Sequence, residues 1–160
     1  MSQKNYESIP LISQDVSTSP SSTNRSGVGK TALVAEVFGT ATLVQIGCGA
    51  NCVATYLGGV SGMWQVGVVW TLGAILGIYA SAAQSGGHLN PAVTLSFALV
   101  RPDDFSIMQV IPYWVAQLMG AMIAAFINSI LFTTAIQNFE ANLEGDSLLE
   151  SAKAFGDYWR

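Results

Sequence analysis

The chain has 160 residues, of which 51% are hydrophobic and only 10% are charged. A soluble domain usually has about 25% charged residues, so this composition argues against a soluble protein. The net charge is −4 and no basic stripe occurs, so we expect no nucleic-acid partner. Nor does the sequence contain a nucleophile–base pair, a metal-binding cluster or a cofactor fingerprint, and we therefore expect no enzyme, no bound metal and no cofactor.

Two long stretches of the chain contain no charged side chain. One runs from residue 37 to 100 and the other from 105 to 139. A helix that crosses a bilayer needs about 20 mostly apolar residues, so the first stretch can hold two crossings and a further segment, and the second can hold one. The sequence predicts three membrane-spanning helices, at about 31–56, 64–82 and 107–136.

The flanking segments are polar. Residues 1–30 are rich in Ser, Thr, Asn and Pro, which predicts a disordered tail, and residues 137–160 are predicted to form an acidic loop. Positive side chains mark the cytoplasmic side of a membrane protein. They occur before the first helix and at Arg101, so we expect a multi-pass protein with a cytoplasmic N-terminus and an outward-facing acidic loop. The positive residues of the tail are Lys4, Arg25 and Lys30.

The segment 83–100 differs from the three predicted crossings. It opens with Gln-Ser-Gly-Gly-His-Leu-Asn-Pro, a strong helix-breaking pattern, and continues with an apolar run that ends at Val100. That run is too short to cross a bilayer. The sequence therefore predicts a re-entrant segment, in which a loop dips into the membrane and a half-helix returns to the same side.

The chemistry of this segment centres on Asn90 and Pro91, which are a favoured N-cap and a favoured first helical residue. The first N–H groups of the half-helix lack intrahelical partners, and the helix dipole makes this end partially positive. The glycines before it permit unusual backbone conformations, so that carbonyls can form a ladder of acceptors. Acceptors, an amide and a positive end suit a path for neutral hydrogen-bonding solutes that repels cations and protons. The carbonyls of this ladder belong to Gly86, Gly87, His88 and Leu89.

Residues 85–94 read Ser-Gly-Gly-His-Leu-Asn-Pro-Ala-Val-Thr, which closely resembles the signature of the aquaporin superfamily. The segment 35–40 and a third-helix pattern extend the resemblance over about residues 31–158. It implies an all-α membrane fold of three crossings and one half-helix, which is one of two inverted halves. It also implies a pore centred on Asn90, Pro91 and Ala92, a homotetramer and a place in the plasma membrane. The third-helix pattern consists of Tyr113, Ala116, Gln117, Gly120 and Ala121.

The segment Trp64–Trp70 resembles the glycerol-conducting branch of that superfamily, the aquaglyceroporins. This match places Trp70 at the narrow outer selectivity filter, where water-selective members usually have Phe. An indole there gives an apolar wall for the carbon side of a polyol. The alternative is that Trp70 is an interfacial anchor or faces lipid, and Trp64 is expected to be such an anchor.

Two further polar side chains are expected to support the re-entrant loop. A carboxylate in a membrane helix is costly, and the resemblance implies that Glu36 accepts hydrogen bonds from the loop. The alternative is that Glu36 lies at headgroup level. Gln117 is expected to bond the loop or a neighbouring helix. His88 could be a proton relay, but we expect a structural residue whose carbonyl lines the path.

The resemblance stops short of a whole pore, because the chain contains a single Asn-Pro-Ala and lacks the Arg that follows the second one in the family. We therefore expect a longer gene product or an incomplete one, with the acidic loop truncated. The leading hypothesis is a passive channel for glycerol, water and other small neutral solutes, present as a half. The alternatives are a non-conducting truncated subunit that binds or regulates full-length channels, and an unrelated three-span membrane protein.

Overall fold

The structure is a computed structural model that describes residues 29–60, 62–143 and 147–156. Helices account for most of these residues, and none of them lies in a strand. The predicted disordered tail lies outside the described residues except for its last two positions. The helices are α1 (Lys30–Cys52), α2 (Met63–Ser85), α3 (Pro91–Val100), α4 (Val110–Leu131), α5 (Thr133–Ala141) and α6 (Ser147–Ala152). A π-helical turn, Val53–Leu57, extends α1, and a 3-10 turn, Ile107–Gln109, precedes α4.

Three of the helical segments are long and apolar enough to cross a membrane. These segments are Lys30–Leu57, Met63–Ser85 and Ile107–Leu131, whereas Pro91–Val100 is apolar but shorter. The predicted fold class, an all-α membrane protein with three spans and one short apolar helix, is confirmed.

The helix boundaries differ from the predicted ones in the second helix, in the third helix and in the segment 137–160, which contains α6. The second helix continues past residue 82 to Ser85, and Gly86 ends it in a left-handed conformation with a φ of 89°. The third helix does not run unbroken to residue 136, because a turn at Phe132 separates α4 from α5. The hydroxyl of Thr133 donates to the carbonyls of Ser129 and Ile130, at 2.8 and 2.9 Å, and such side-chain bonds bend helices. Helix therefore extends to Ala141, into the segment predicted as a loop.

Helix α1 packs against both α2 and α4, and glycines lie at the points of closest approach. A β-carbon on Gly77 would lie 2.6 Å from the carbonyl oxygen of Gly39, and one on Gly73 would lie 3.0 Å from that of Leu43. On α4, a β-carbon on Gly120 would collide with the carbonyl of Val37. Small residues let membrane helices approach this closely, and the three helices therefore form a tight unit around α1.

The outward faces of α2 and α4 carry large apolar side chains that the described residues do not cover. Tyr79 is 89% exposed and Leu131 is 68% exposed. In a soluble protein such surfaces would be unusual, but against lipid they are expected. Further examples on these faces are Leu72, Ile75, Leu76, Leu118, Met122 and Phe126.

Candidate functional site

The chain reverses direction between α2 and α3 in the segment 86–90, which we call the 86–90 loop. Three of its residues have positive φ values, namely Gly86 at 89°, Gly87 at 65° and Leu89 at 51°. Glycine adopts this conformation without steric cost, but for leucine it costs about 1–2 kcal/mol. Strain of this kind persists only where surrounding contacts hold the backbone in place.

The side chain of Leu89 shows where the loop goes. Its methyl groups occupy the space that side chains at Gly39 and Gly77 would need, so Leu89 lies between α1 and α2. Gly77 precedes the end of α2 by about two turns, or about 12 Å at 1.5 Å per residue. The 86–90 loop therefore runs back along α2 instead of leaving the helical unit.

Glu36 on α1 holds this loop. Its side chain is 0% exposed, and it accepts four hydrogen bonds. The hydroxyl of Ser85 (2.7 Å) and the backbone N–H of His88 (2.9 Å) donate to Oε1. The backbone N–H of Leu89 (2.9 Å) and Nε2 of Gln117 (2.7 Å) donate to Oε2. We call these five residues the Glu36 cluster.

Helix α4 ties both ends of the loop to this cluster. Gln117 uses its second N–H to donate to the hydroxyl of Thr94 at 2.8 Å, and Thr94 in turn donates to the carbonyl of Asn90 at 3.1 Å. The hydroxyl of Tyr113 donates to the carbonyl of Ser85 at 3.0 Å. The roles of the Ser85 and Thr94 side chains are not evident from the sequence, although these residues begin and end the ten-residue signature. The role of the Tyr113 hydroxyl is not evident either, although Tyr113 belongs to the third-helix pattern.

Asn90 and Pro91 begin α3 in the expected way. The side-chain oxygen of Asn90 accepts from the backbone N–H of Ala92 at 2.8 Å, and Pro91 is the first helical residue. The indole N–H of Trp114 donates to the carbonyl of Pro91 at 3.0 Å. Asn90, Pro91 and Ala92 are all exposed, so the partially positive end of α3 is open.

The backbone carbonyls of the 86–90 loop differ from its N–H groups. The N–H groups of residues 86–89 all have acceptors. By contrast, no donor in the described part of the chain bonds to the carbonyls of Gly86, Gly87, His88 or Leu89. The loop therefore combines N–H groups that all have acceptors with four carbonyls that have no described donor.

The imidazole of His88 packs among aromatic rings. It stacks on Phe97 with ring centroids 4.4 Å apart, and it also contacts Phe105 at 4.8 Å and Tyr113 at 5.2 Å. Its Nδ1 is buried and finds no hydrogen-bond partner among the described residues. A relay needs such partners, so these contacts favour a packing role for the ring over a proton relay.

Trp70 lies at a different place, in the first half of α2. The ring lies over Gly47 of α1, and its N–H donates to the side-chain oxygen of Asn51 at 3.2 Å. Trp70 is half-buried, whereas Trp64 is 71% exposed. The structure thus brings Glu36 and Gln117 together with the 86–90 loop, and it leaves Trp70 separate from them.

Two cavities border different residues of the reversal between α2 and α3. One of about 310 Å³ opens beside the start of α3, and its polar lining comes from Thr40, Asn90 and Gln117. Oγ1 of Thr40 and Oε1 of Gln117 are buried and have no hydrogen-bond partner among the described residues. The other cavity, of about 580 Å³, lies near the ends of α2 and α3 and is lined by Gln84, Asp103 and Asp104 among others. Polar side chains therefore contribute to the lining of both cavities.

Comparison with known sequences places this arrangement in a family. The sequence model of the major intrinsic protein family matches residues 23–156. The glycerol uptake facilitator protein of Haemophilus influenzae is 36% identical over 107 residues, which is 67% of this chain and 40% of that protein. The propanediol uptake facilitator PduF of Salmonella typhimurium is 36% identical over 106 residues, or 66% of this chain and 39% of that protein. Aquaporin NIP1-1 of rice is 37% identical over 119 residues, or 74% and 41%.

The chain thus spans about 40% of the length of the curated relatives it matches. The family match covers most of the chain, including α1 to α6 and the 86–90 loop. The chain belongs to the major intrinsic protein family.

Proposed function

We propose that the protein forms one side of a passive membrane channel that conducts glycerol, water and other small neutral solutes and excludes ions and protons. The observation that supports this most is the 86–90 loop itself. Glu36 accepts from the N–H groups of His88 and Leu89, the carbonyls of residues 86–89 have no described donor, and the loop ends at the open, partially positive start of α3.

The contacts between α3 and α4 support a re-entrant position for the loop. Trp114 and Gln117 of α4 contact the first turn of α3, while the end of α3 packs near Val110. Gln117 is about 10 Å along α4 from Val110 at 1.5 Å per residue. If α4 crosses the bilayer, α3 therefore starts well inside the hydrocarbon layer. Irregular backbone survives at that depth only against protein or a water-filled passage.

The available groups match neutral solutes. A water or polyol hydroxyl can donate to a carbonyl of the loop and accept from the amide of Asn90. A cation meets the positive end of the α3 dipole, and this field opposes its entry. We further propose that Trp70 forms the apolar wall of the filter, against which the carbon side of a polyol passes. Solutes named for the relatives, glycerol and propanediol, have this mixed character.

The placement in the cell is part of the same proposal. Lys30 and Arg101 are the positive residues at the α1 start and the α3 end, and they support a cytoplasmic side for these ends. The family resemblance supports a plasma-membrane homotetramer whose pores each combine two inverted halves.

A second candidate function is a non-conducting subunit that binds full-length channels. The open start of α3 and the 310 Å³ cavity beside it favour this reading, because a second half-helix could cover them. Co-expression separates the two candidates: a regulatory subunit alters the glycerol flux of another channel and conducts nothing alone.

The test of the leading proposal is solute flux into vesicles that contain the purified protein. Vesicles shifted into a hyperosmotic glycerol solution should shrink and then reswell faster than protein-free vesicles of the same lipid. A trapped pH dye should report no added proton flux under an imposed gradient. Reswelling at the protein-free rate, with the protein shown to be inserted, would contradict the proposal.

A further inference from the structure

We infer that Asn51 is a positioning residue that holds the indole of Trp70 in one orientation and thereby sets the size discrimination of the outer filter. The inference rests on the proposed filter role of Trp70. It assigns a role to a side chain that lies outside the matched motifs. Asn51 lies near the end of α1, in a charge-free span where an amide is otherwise unexpected.

The first observation is the hydrogen bond between the two side chains. Nε1 of Trp70 donates to Oδ1 of Asn51 at 3.2 Å, and both residues are half-buried. A tryptophan that faces lipid has no acceptor for its N–H within the hydrocarbon layer, because lipid tails offer none. Asn51 provides that acceptor from the neighbouring helix and so determines where the edge of the ring points.

The second observation is the contact below the ring. A β-carbon on Gly47 would collide with the ring carbons Cδ2, Cε2 and Cε3 of Trp70 together. One point close to three ring atoms lies over the face of the ring, so the indole rests on the bare backbone of α1. Gly47 therefore supports the face of the ring while Asn51 holds its edge, and the two contacts together define one orientation.

A fixed indole discriminates between solutes by cross-section. If the ring can turn, the narrowest part of the passage widens for part of the time, and bulkier polyols gain more from this than glycerol or water. Loss of the Asn51 acceptor should therefore raise the permeability to a four-carbon polyol relative to glycerol. The expected change is about threefold, which corresponds to one membrane hydrogen bond of average strength.

The experiment compares the parent protein with Asn51→Leu, which removes the acceptor at similar size, and with Asn51→Gln, which keeps an amide oxygen. Gln45→Leu is the matched control, because Gln45 is also an α1 amide but donates to Asn128 and not to Trp70. The first readout is ultraviolet resonance Raman spectroscopy of the indole band that is sensitive to N–H hydrogen bonding. The second is stopped-flow uptake of erythritol, glycerol and water in vesicles.

We expect Asn51→Leu to shift the Raman band and to raise the erythritol-to-glycerol ratio, and Asn51→Gln to restore part of both. Gln45→Leu should change neither. The Raman difference should vanish in a Trp70→Phe background, which assigns it to Trp70. Asn51→Val serves as a second acceptor-free variant if Asn51→Leu does not insert.

An unchanged Raman band in both acceptor-free variants would overturn the contact. A shifted band with an unchanged solute ratio would overturn the control of selectivity. If the parent protein transports no solute, the proposed function and the selectivity role both fail. The Raman measurement then still decides whether Asn51 holds the ring, so the two failures are distinguishable.

Discussion

The two ends of α1 make different hydrogen bonds to the rest of the protein. Near its start, one fully buried carboxylate accepts four hydrogen bonds from α2, the 86–90 loop and α4. Near its end, Asn51 makes one hydrogen bond of 3.2 Å to a half-buried indole. The first end holds irregular backbone, and the second holds a single side chain.

The difference follows from what each end must satisfy. The N–H groups of His88 and Leu89 belong to the backbone, so no substitution in the loop other than proline can remove them. Each would cost about 1–3 kcal/mol if it were left unpaired in a buried site. A single residue, Glu36, meets this demand. At the other end, side chains supply both donor and acceptor, so sequence changes can adjust them together. We infer that the Glu36 cluster is a fixed support for the backbone of the loop, whereas the contact between Asn51 and Trp70 can vary with sequence.

The strongest test of this contrast is Glu36→Leu. It leaves two backbone N–H groups and one N–H of the Gln117 amide without their acceptor, whereas the hydroxyl of Ser85 keeps the carbonyl of Ser81 at 3.1 Å. Unsatisfied buried groups cost about 1–3 kcal/mol each, so we expect a loss of at least about 3 kcal/mol in the free energy of unfolding. Chemical unfolding in detergent measures this loss, and solute uptake should disappear with it.

The matched control for this variant is Gln45→Leu, which removes an amide of the same helix that donates one hydrogen bond to Asn128 of α4. It should cost about 0.6–2 kcal/mol, as expected for one hydrogen bond between membrane helices. If both variants lose similar stability, Glu36 is not the main support of the loop and the contrast between the two ends fails.

The next largest effect is expected at the helix contact that carries the loop. A β-carbon on Gly77 would lie 2.6 Å from the carbonyl oxygen of Gly39 and 2.9 Å from a methyl carbon of Leu89. Gly77→Ala should therefore separate α1 from α2 and destabilise the protein by about 1–3 kcal/mol. Thermal unfolding in the same detergent measures the change.

Gly67→Ala on the same helix is the control, because nothing lies within 4 Å of a β-carbon built there. That variant should be neutral or more stable by up to about 1 kcal/mol, since alanine favours helix over glycine. Equal destabilisation by the two substitutions would show that close packing at Gly77 does not matter.

Much of this fold can be predicted from local sequence. The charge-free runs predict three spans, and Asn90-Pro91 predicts the start of α3, because helix caps depend on neighbouring residues only. The break at Phe132 was not predicted. The apolar pattern continues through it, and the interruption lies beside a Thr133 hydroxyl that bonds two backbone carbonyls of the preceding turn.

The contacts of the candidate site depend on distant parts of the chain, and local patterns therefore do not show them. Glu36 bonds groups that are 49 to 81 residues away in sequence. The extra turn of α2 has the same origin, because the hydroxyl of Ser85 donates to Glu36 at 2.7 Å instead of breaking the helix. Leu89 adopts a conformation that is unfavourable for leucine, and only the surrounding glycines and Glu36 explain it.

A smaller effect is expected at the start of α3. Asn90→Ala removes the oxygen that accepts from the N–H of Ala92, and the loss of an N-cap costs about 1 kcal/mol. Asn90→Asp keeps the capping oxygen, so its stability should stay near that of the parent protein. It also places negative charge at the positive end of the helix, which should reduce the barrier to cations. Unfolding experiments measure the first effect, and sodium leak into vesicles measures the second. Equal stability of the two variants would rule out the cap as the main role of this side chain.

The smallest effect on stability is expected at the contact between Trp70 and Asn51. Trp70→Phe keeps an aromatic ring but removes the N–H that donates to Asn51, so the free energy of unfolding should fall by only about 0.6 kcal/mol. Transport should change more clearly, because the shorter ring leaves a gap that water can fill beside the carbon side of a polyol. We expect the glycerol-to-water permeability ratio to fall about threefold, in line with the loss of one such contact.

Trp64→Phe is the matched control, since Trp64 is 71% exposed at the start of α2 and should leave the ratio unchanged. Equal ratios for the two variants would place Trp70 outside the filter. The contact between Trp70 and the end of α1 would then serve packing only.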